Sequence, residues 1–596
     1  MTDKGQSPTG ADTEELSRTL VDITEKSQQL VKDFLSREQA AHHISMDDAM
    51  HMSALFQELT TRMMANPMQL AQAQINFWQD YMQLMSNATL RFWGHQQDPV
   101  IAPNKTDKRF RHEAWEENPI FDFIKQSYLL AADYVHSSVK DVEGIDERTA
   151  RKIDFHTRQF VDALSPTNFV ATNPEVLEKT IETQGGNLLK GLKNLLHDLE
   201  AGEGKLRIRM TDHDAFEVGR NLAVTPGKVV YQTDLMQLIQ YAPSTETVYK
   251  RPLLFVSPWI NKFYILDMQP KNSLIRYMVE QGHTVFVVSW KNPTEAHADK
   301  TFADYMKEGP LAAVDAIKAA TGVDDINCVG YCLGGTLMGA TMGYMAAHQD
   351  SRIKSITYFT CMLDFEQPGE LEVFIDEEQI QALEKRMDSQ GYLDAAAMSS
   401  TMSSLRANDL IWSFFVNNYL KGDDPFPFDL LYWNQDCTNM PANMHSFYLR
   451  NMYQKNLLRE PGGITLDDTP IDLRKVETPA CFVSAIEDHI APWKTTYRGV
   501  HLHSGPVRFI LGGSGHIAGI INPPAKNKYG YWTNSENPED PDAWLDGAEH
   551  TEGSWWPEWN RWLVRRSGAK VKAREPGDGD LKVIEDAPGS YVKEKA

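Results

Sequence analysis

Between Asn327 and Thr336 the chain reads Asn-Cys-Val-Gly-Tyr-Cys-Leu-Gly-Gly-Thr. A short apolar run enters Gly330-Tyr331-Cys332-Leu333-Gly334, and a small-residue run with helical character follows. This is the nucleophile-elbow pattern with cysteine in the serine's place. A sharp strand-to-helix turn forces backbones together, and only residues without a Cβ fit on either side of the nucleophile. Such a turn lifts Cys332 above the strand end and aims a helix N-terminus at its sulfur, which favours the thiolate. A nucleophilic thiolate in that setting suits acyl transfer through a thioester.

A thiol of ordinary acidity is mostly protonated at neutral pH and needs a base. Enzymes built on this elbow, the α/β-hydrolases, place nucleophile, acid and histidine in that order along the chain. Two loops downstream match. An apolar run at 480–485 ends in Ile486-Glu487-Asp488-His489, and another at 507–511 ends in Gly512-Gly513-Ser514-Gly515-His516. His516, on a Gly/Ser loop, is the expected base, and Asp488 the carboxylate that orients it. Asp364 is the rival acid, because it follows the strand after the elbow helix. His489 is a poorer base, being adjacent to the acid it would have to face. The oxyanion donors are expected to be the backbone N–H of Leu333 and one from the loop after the strand at 252–256, near Ile260. Cys328, Cys361, Cys437 and Cys481 read as small core residues.

Positioning such a site takes alternating elements. Strands are expected at 252–256, 284–289, 326–329, 355–360, 480–485 and 507–511. Helices are expected at 270–281, 302–320 with a break at Gly309-Pro310, and 333–348. This alternation predicts an α/β-hydrolase core with a mostly parallel, doubly wound sheet. Gly335, Gly339 and Gly343 give the helix after the elbow a smooth face. The alternation lapses from 366 to 474, a helical, aromatic-rich insertion placed like a cap. Trp555, Trp556, Trp559 and Trp562 mark a closing helix.

The first part of the chain is mostly α. Expected boundaries are a polar stretch at 1–45, a helical domain at 46–215, the catalytic domain at 216–566 and a surface tail at 567–596. Ile75, Trp78, Met82 and Met85 recur at helical spacing. They read as core or a helix–helix interface, with adhesion to an apolar body or partner as the alternative.

The 596 residues carry a formal net charge of −23, which argues against non-specific nucleic-acid binding. No secretory signal and no membrane-length apolar run are visible. Five cysteines, odd in number and without a CxxC pair, fit free thiols in a reducing cytoplasm and neither a disulfide framework nor a zinc site. No cofactor or metal is expected.

Longer words carry a resemblance. Gly330-Tyr331-Cys332-Leu333-Gly334-Gly335, Pro258-Trp259-Ile260-Asn261-Lys262, Asn408-Asp409-Leu410-Ile411-Trp412, Phe428-Asp429-Leu430-Leu431-Tyr432-Trp433-Asn434 and His445-Ser446-Phe447-Tyr448-Leu449-Arg450-Asn451-Met452-Tyr453 resemble polyhydroxyalkanoate synthases. The tail Ala587-Pro588-Gly589-Ser590-Tyr591-Val592 is similar to the ending of that family's class I type, which acts without a second synthase subunit. Ala407 stands where a proline is expected, and residues 1 to about 100 match poorly. The resemblance implies polymerisation of (R)-3-hydroxyacyl-CoA, such as 3-hydroxybutyryl-CoA, into polyester with release of CoA. It implies Cys332 as acyl carrier, His516 as base and Asp488 as its partner. It also implies a homodimer, a place on a cytoplasmic polyester granule and contact with granule-associated proteins. The alternatives are a cysteine thioesterase or polyester depolymerase, and a non-enzymatic granule coat.

Overall fold

The computed structural model describes residues 67–139, 145–204 and 206–596. The polar stretch 1–45 and the start of the amphipathic run lie outside the described residues. The chain divides into two compact units, Met1–Asp212 with Met402–Phe426, and His213–Thr401 with Pro427–Ala596.

The described part of the first unit is helical: Pro67–Phe92, Ala114–Glu117, Pro119–Val139, Glu147–Ala163, Pro174–Glu182 and Gly186–Ala201. Caps start two of these. The Asp146 carboxylate accepts from the N–H groups of Arg148 and Thr149, and the Asn173 side chain does the same for Glu175 and Val176 ahead of Pro174. Helix Pro67–Phe92 has two apolar faces. Phe77 packs on Tyr134 with ring centres 5.0 Å apart, and Leu84 is buried. The other face holds Ile75, Trp78, Met82 and Met85, which are exposed; the reading of that row as core fails. The face carrying Phe77 and Tyr81 took the inner position.

Met402–Phe426, inside the span read as cap, belongs to this helical unit. The Asn187 and Asn194 side-chain amides donate to the carbonyls of Leu420 and Asn418 at 2.8 and 3.1 Å. The Tyr419 hydroxyl donates to Asp198 at 2.7 Å. Gly191 leaves room for the Tyr419 carbonyl, since a Cβ there would lie 1.8 Å from that oxygen.

The second unit is built on one eleven-stranded sheet. In chain order its strands are β1 (Gly227–Gln232), β2 (Met236–Tyr241), β3 (Leu253–Val256), β4 (Val285–Trp290), β5 (Ile326–Tyr331), β6 (Ile353–Phe359), β7 (Ala480–Ala485), β8 (Val507–Gly512), β9 (Tyr531–Thr533), β10 (Glu549–Thr551) and β11 (Glu585–Asp586). They lie in the order β10-β9-β8-β7-β6-β5-β3-β4-β2-β1-β11. The run β8-β7-β6-β5-β3-β4 is parallel, and the strands outside it pair antiparallel. β3, β5 and β7 are buried at every residue, as a sheet covered on both faces requires. The order reverses at β3, so the ends of β3 and β5 flank a switch-point crevice.

Three features differ from the sequence reading. The helix at 302–320 does not break at Gly309-Pro310; it passes through a π-helical stretch, Lys307–Leu311. That widened turn accommodates Pro310, and Gly309 lies against the Trp290 ring, where a Cβ would come within 2.4 Å. Five strands join the six expected: β1 and β2 ahead of them, β9 and β10 after His516, and β11 in the tail. The segment after residue 567 is not confined to the surface: Lys570–Lys572 pairs with Thr247–Tyr249, β11 joins the sheet edge, and Tyr591 and Val592 are buried.

Candidate active site

β5 runs into helix Leu333–Ala347 at Cys332, whose φ of 52° and ψ of −122° are strained for a residue with a Cβ. The Cys332 N–H donates to the Phe359 carbonyl at 2.9 Å, and the N–H of Gly335 returns to the Cys332 carbonyl at 2.9 Å. A Cβ on Gly330 would lie 2.5 Å from the Gly335 Cα, and one on Gly334 would lie 2.3 Å from the Val256 carbonyl oxygen. Both glycines are therefore steric requirements. The second also sets the helix N-terminus directly against the end of β3. Farther along, the places of absent Cβ atoms on Gly335, Gly339 and Gly343 are taken by Cys361, Leu363 and Ile471.

Asp488 follows β7 and is buried. Its Oδ1 accepts from the N–H groups of Ile490 and Ala491, both at 2.9 Å, which fixes the carboxylate. Its Oδ2 is left for His516, whose Nδ1 lies 2.7 Å away. With Nδ1 donating to Asp488, Nε2 is the nitrogen free to take a proton. His516 follows β8, is buried, and stacks on Tyr331 with ring centres 5.9 Å apart at 24°. Burial opposes a charged ring. The charges of Asp488 and Cys332, with hydrogen bonding to both, outweigh it and raise the imidazole's pKa well above the usual histidine value.

The other cysteines contrast with this. Cys332 is partly exposed, whereas Cys328, Cys361, Cys437 and Cys481 are buried. Burial pushes Cys437 up to about 11 and Cys481 up to about 12, and also raises Cys328 and Cys361. These remain thiols.

Asp364 is engaged elsewhere. It accepts from the Glu366 N–H and the Asn456 side chain, both at 2.8 Å, and pairs with Arg459 at 3.1 Å. His489 sits beside Asp488 in sequence, but its carbonyl, at 3.5 Å, faces the N–H of Glu370. Leu333 opens the elbow helix, where N–H groups have no intrahelical acceptor. Ile260 is buried in the loop after β3. That loop is clamped: Thr438 bonds the Trp259 and Ile260 carbonyls, the Trp433 indole donates to the Lys262 carbonyl at 2.7 Å, and buried Lys262 pairs with Asp436 at 2.8 Å. Among the described residues no cluster of three or more His, Cys, Asp and Glu could hold a metal ion, and no helix is long and apolar enough to cross a membrane.

This geometry can be set beside known proteins. Residues 106–278 match the model of the poly-beta-hydroxybutyrate polymerase (PhaC) N-terminus, and residues 252–523 match the α/β hydrolase fold. The poly(3-hydroxyalkanoate) polymerase of Methylorubrum extorquens is 50% identical over 532 residues, 89% of this chain and 88% of that one. The poly(3-hydroxyalkanoate) polymerase subunit PhaC of Rhizobium meliloti (strain 1021) is 47% identical, covering 89% and 87% of the two chains. That of Cupriavidus necator is 45% identical, covering 82% and 83%. The chain belongs to the poly(3-hydroxyalkanoate) polymerase family. The resemblance read from the box and tail words is borne out, as is the α/β-hydrolase fold.

Residue-by-residue reading of this polymerase-family chain misses several buried groups. Tyr331 was seen only as the variable residue of the box. Tyr448 stands in the sequence as one of the aromatics of the 366–474 span, Tyr453 only as part of a family word, and Lys262 only as part of Pro-Trp-Ile-Asn-Lys. A lysine inside an otherwise apolar loop was the available signal that a buried carboxylate lies nearby.

Proposed function

We propose that this chain, an acyltransferase, polymerises (R)-3-hydroxyacyl-CoA, with 3-hydroxybutyryl-CoA as the expected monomer, and releases CoA through a Cys332 thioester. His516 takes the Cys332 proton, and the thiolate attacks the thioester carbonyl of the monomer. The carbonyl oxygen gathers charge toward the N–H groups of Leu333 and Ile260. The C–S bond to CoA breaks, and the imidazolium returns the proton to the departing thiolate. One thioester has replaced another, so the acyl group stays activated. His516 then takes the proton of the 3-hydroxyl of a second unit, whose oxygen attacks the Cys332 thioester. An ester forms, the bond to Cys332 breaks, and the extended chain on CoA can acylate Cys332 again. Asp488 stabilises the imidazolium in both halves. Aromatic side chains about Trp259, namely Phe302, Tyr305 and Tyr448, suit the exclusion of water, which would otherwise hydrolyse the intermediate.

One conjunction carries this reading: an imidazole bonded to a buried Asp488, downstream of a cysteine held at a strained strand-to-helix turn, in a chain half identical to a poly(3-hydroxyalkanoate) polymerase. We further propose a homodimer working at the surface of a cytoplasmic polyester granule, with the granule and its associated proteins as partners. The boundaries proposed from sequence, 46–215 for the helical domain and 216–566 for the catalytic domain, remain part of the reading, with 402–426 reassigned to the helical unit.

Incubation with (R)-3-hydroxybutyryl-CoA tests the function. Turbidity, polymer and stoichiometric CoA are expected. Free 3-hydroxybutyrate without polymer would mean a thioesterase instead. Cys332→Ala is expected to fold normally and to release no CoA above background; release at the parent rate would end the proposal.

A further inference from the structure

One buried charge in the second unit has no part in the steps above. Lys262 ends the loop that leaves β3, and its side chain is 2% exposed. That loop starts against the elbow. A Cβ on Gly334, two residues past Cys332, would lie 2.3 Å from the Val256 carbonyl oxygen and 2.7 Å from that of Ser257. The next residues, 259 to 262, face the strip 433–438. The Thr438 hydroxyl donates to the Trp259 carbonyl, and the Thr438 N–H donates to that of Ile260 at 3.2 Å. The Asn261 amide donates to the Cys437 sulfur at 3.3 Å, and the Trp433 indole to the Lys262 carbonyl at 2.7 Å. The loop's carbonyls are thus occupied. The Ile260 N–H is bonded to nothing among the described residues, although Ile260 is buried.

These bonds join loop to strip and leave the two free to shift as one piece, because the strip belongs to the insertion between β6 and β7. Lys262 ties that piece to the body of the unit. Its ammonium meets the Asp436 carboxylate at 2.8 Å and donates to the Glu594 carbonyl at 2.7 Å. The tail before Glu594 is held at the sheet. The Tyr591 hydroxyl donates to the Thr233 carbonyl at 3.0 Å, and the N–H groups of Ser590 and Tyr591 donate to the Gln237 side chain, in β2, at 3.1 and 3.2 Å. Asp436 accepts from the Tyr264 hydroxyl on its other oxygen at 2.8 Å, with the Lys595 ammonium 3.3 Å from the first. A buried ion pair is costly to desolvate, and an apolar pair of the same volume is often as stable or more so. Stability therefore does not account for the ammonium. What it supplies is one fixed geometry for three chain segments.

We propose that Lys262 is a positioning residue: by pinning the loop after β3 to Asp436 and Glu594, it keeps the Ile260 N–H aimed at the acyl carbonyl oxygen above Cys332. This rests on the Cys332 and Ile260 reading of the site. An oxyanion donor is effective because it stands in place before the charge develops. None of the partners of Lys262 is His516 or Asp488, so its loss should slow attack on a carbonyl and leave the thiolate as reactive as before.

The test pairs two reactions of the same sulfur in the full chain. Attack on (R)-3-hydroxybutyryl-CoA builds an oxyanion. Alkylation of Cys332 by iodoacetamide, followed on the Cys332 peptide by mass spectrometry, forms an S–C bond with loss of iodide; it needs the thiolate and builds no oxyanion. Lys262→Met, similar in length and uncharged, is expected to lower kcat for CoA release by roughly 10–100-fold with KM within a few-fold, and to leave the alkylation rate within about twofold of the parent. Unchanged CoA release, a loss confined to KM, or alkylation falling by the same factor as CoA release overturns the proposal. If Lys262→Met does not fold, Asp436→Asn is read on the same two reactions, and any of those outcomes in that folded variant is equally fatal. Failure of the underlying reading looks different: Cys332 of the parent would resist iodoacetamide, or Cys332→Ala would still release CoA.

Discussion

Asp364 and Asp488 follow neighbouring strands of one sheet, β6 and β7, and both are buried. They differ in what is left unpaired. Asp364 is taken by an N–H, an amide and a guanidinium, and so becomes the anchor of the segment that carries Tyr453. Asp488 has one oxygen fixed by two N–H groups and offers the other to an imidazole. Asp267 makes a third case. Ser273 and Thr225 both donate to its Oδ1, at 2.6 and 2.5 Å, while its Oδ2 has no partner among the described residues. Burial dominates there and raises its pKa to about 6, with the two hydroxyl donors pulling the other way. Position after a strand marks a candidate acid; the partners already present decide what it does.

Three substitutions test that comparison. The largest effect is expected for Asp488→Asn, which keeps the shape but favours the wrong tautomer of His516; CoA release should fall roughly a thousandfold or more. Little change in that variant, with a collapse in Asp364→Asn, would exchange the two roles. Asp364→Asn should instead keep CoA release within a few-fold and lower the melting temperature by a few degrees, about 1–2 kcal/mol for a weakened buried network. The third effect is conditional on pH. Asp267 holds its proton more tightly folded than unfolded, so its contribution is full below the unfolded value of 3.8 and is lost as pH rises through about 6. Asp267→Asn keeps an acceptor for both hydroxyls and removes that loss. Its melting temperature relative to the parent should therefore climb between pH 4 and pH 7, by the equivalent of a few kcal/mol. A flat difference across that range would show that the carboxylate is not destabilised by burial.

The elements of the candidate site were legible because their constraints are local. Gly330 and Gly334 bracket a turn that needs them, and the loops holding Asp488 and His516 follow short apolar runs that are strands. What could not be read depends on distant partners. Nothing near Met402–Phe426 reveals that Asn187 and Asn194, more than 200 residues earlier, bond its carbonyls. The outer row of helix Pro67–Phe92 has the same spacing as a buried one, and only the position of Phe77 and Tyr81 against helix Pro119–Val139 decides which row turns inward. The tail looked polar, yet it buries Tyr591 and Val592. At Gly309-Pro310 the sequence marks an irregularity without its kind, and the π-helical stretches Asn408–Trp412, Phe415–Leu420 and Leu449–Gln454 were invisible because their composition is that of ordinary helix.

The glycine row along the elbow helix has a mechanical meaning. Cys361, Leu363 and Ile471 sit in its three notches as pins sit in a rack, and a helix so keyed can neither slide by a turn nor roll about its axis. The aim of its first N–H groups at the sulfur is thus set along about 15 Å of helix. The precision of the reacting end is borrowed from packing well out of reach of any substrate.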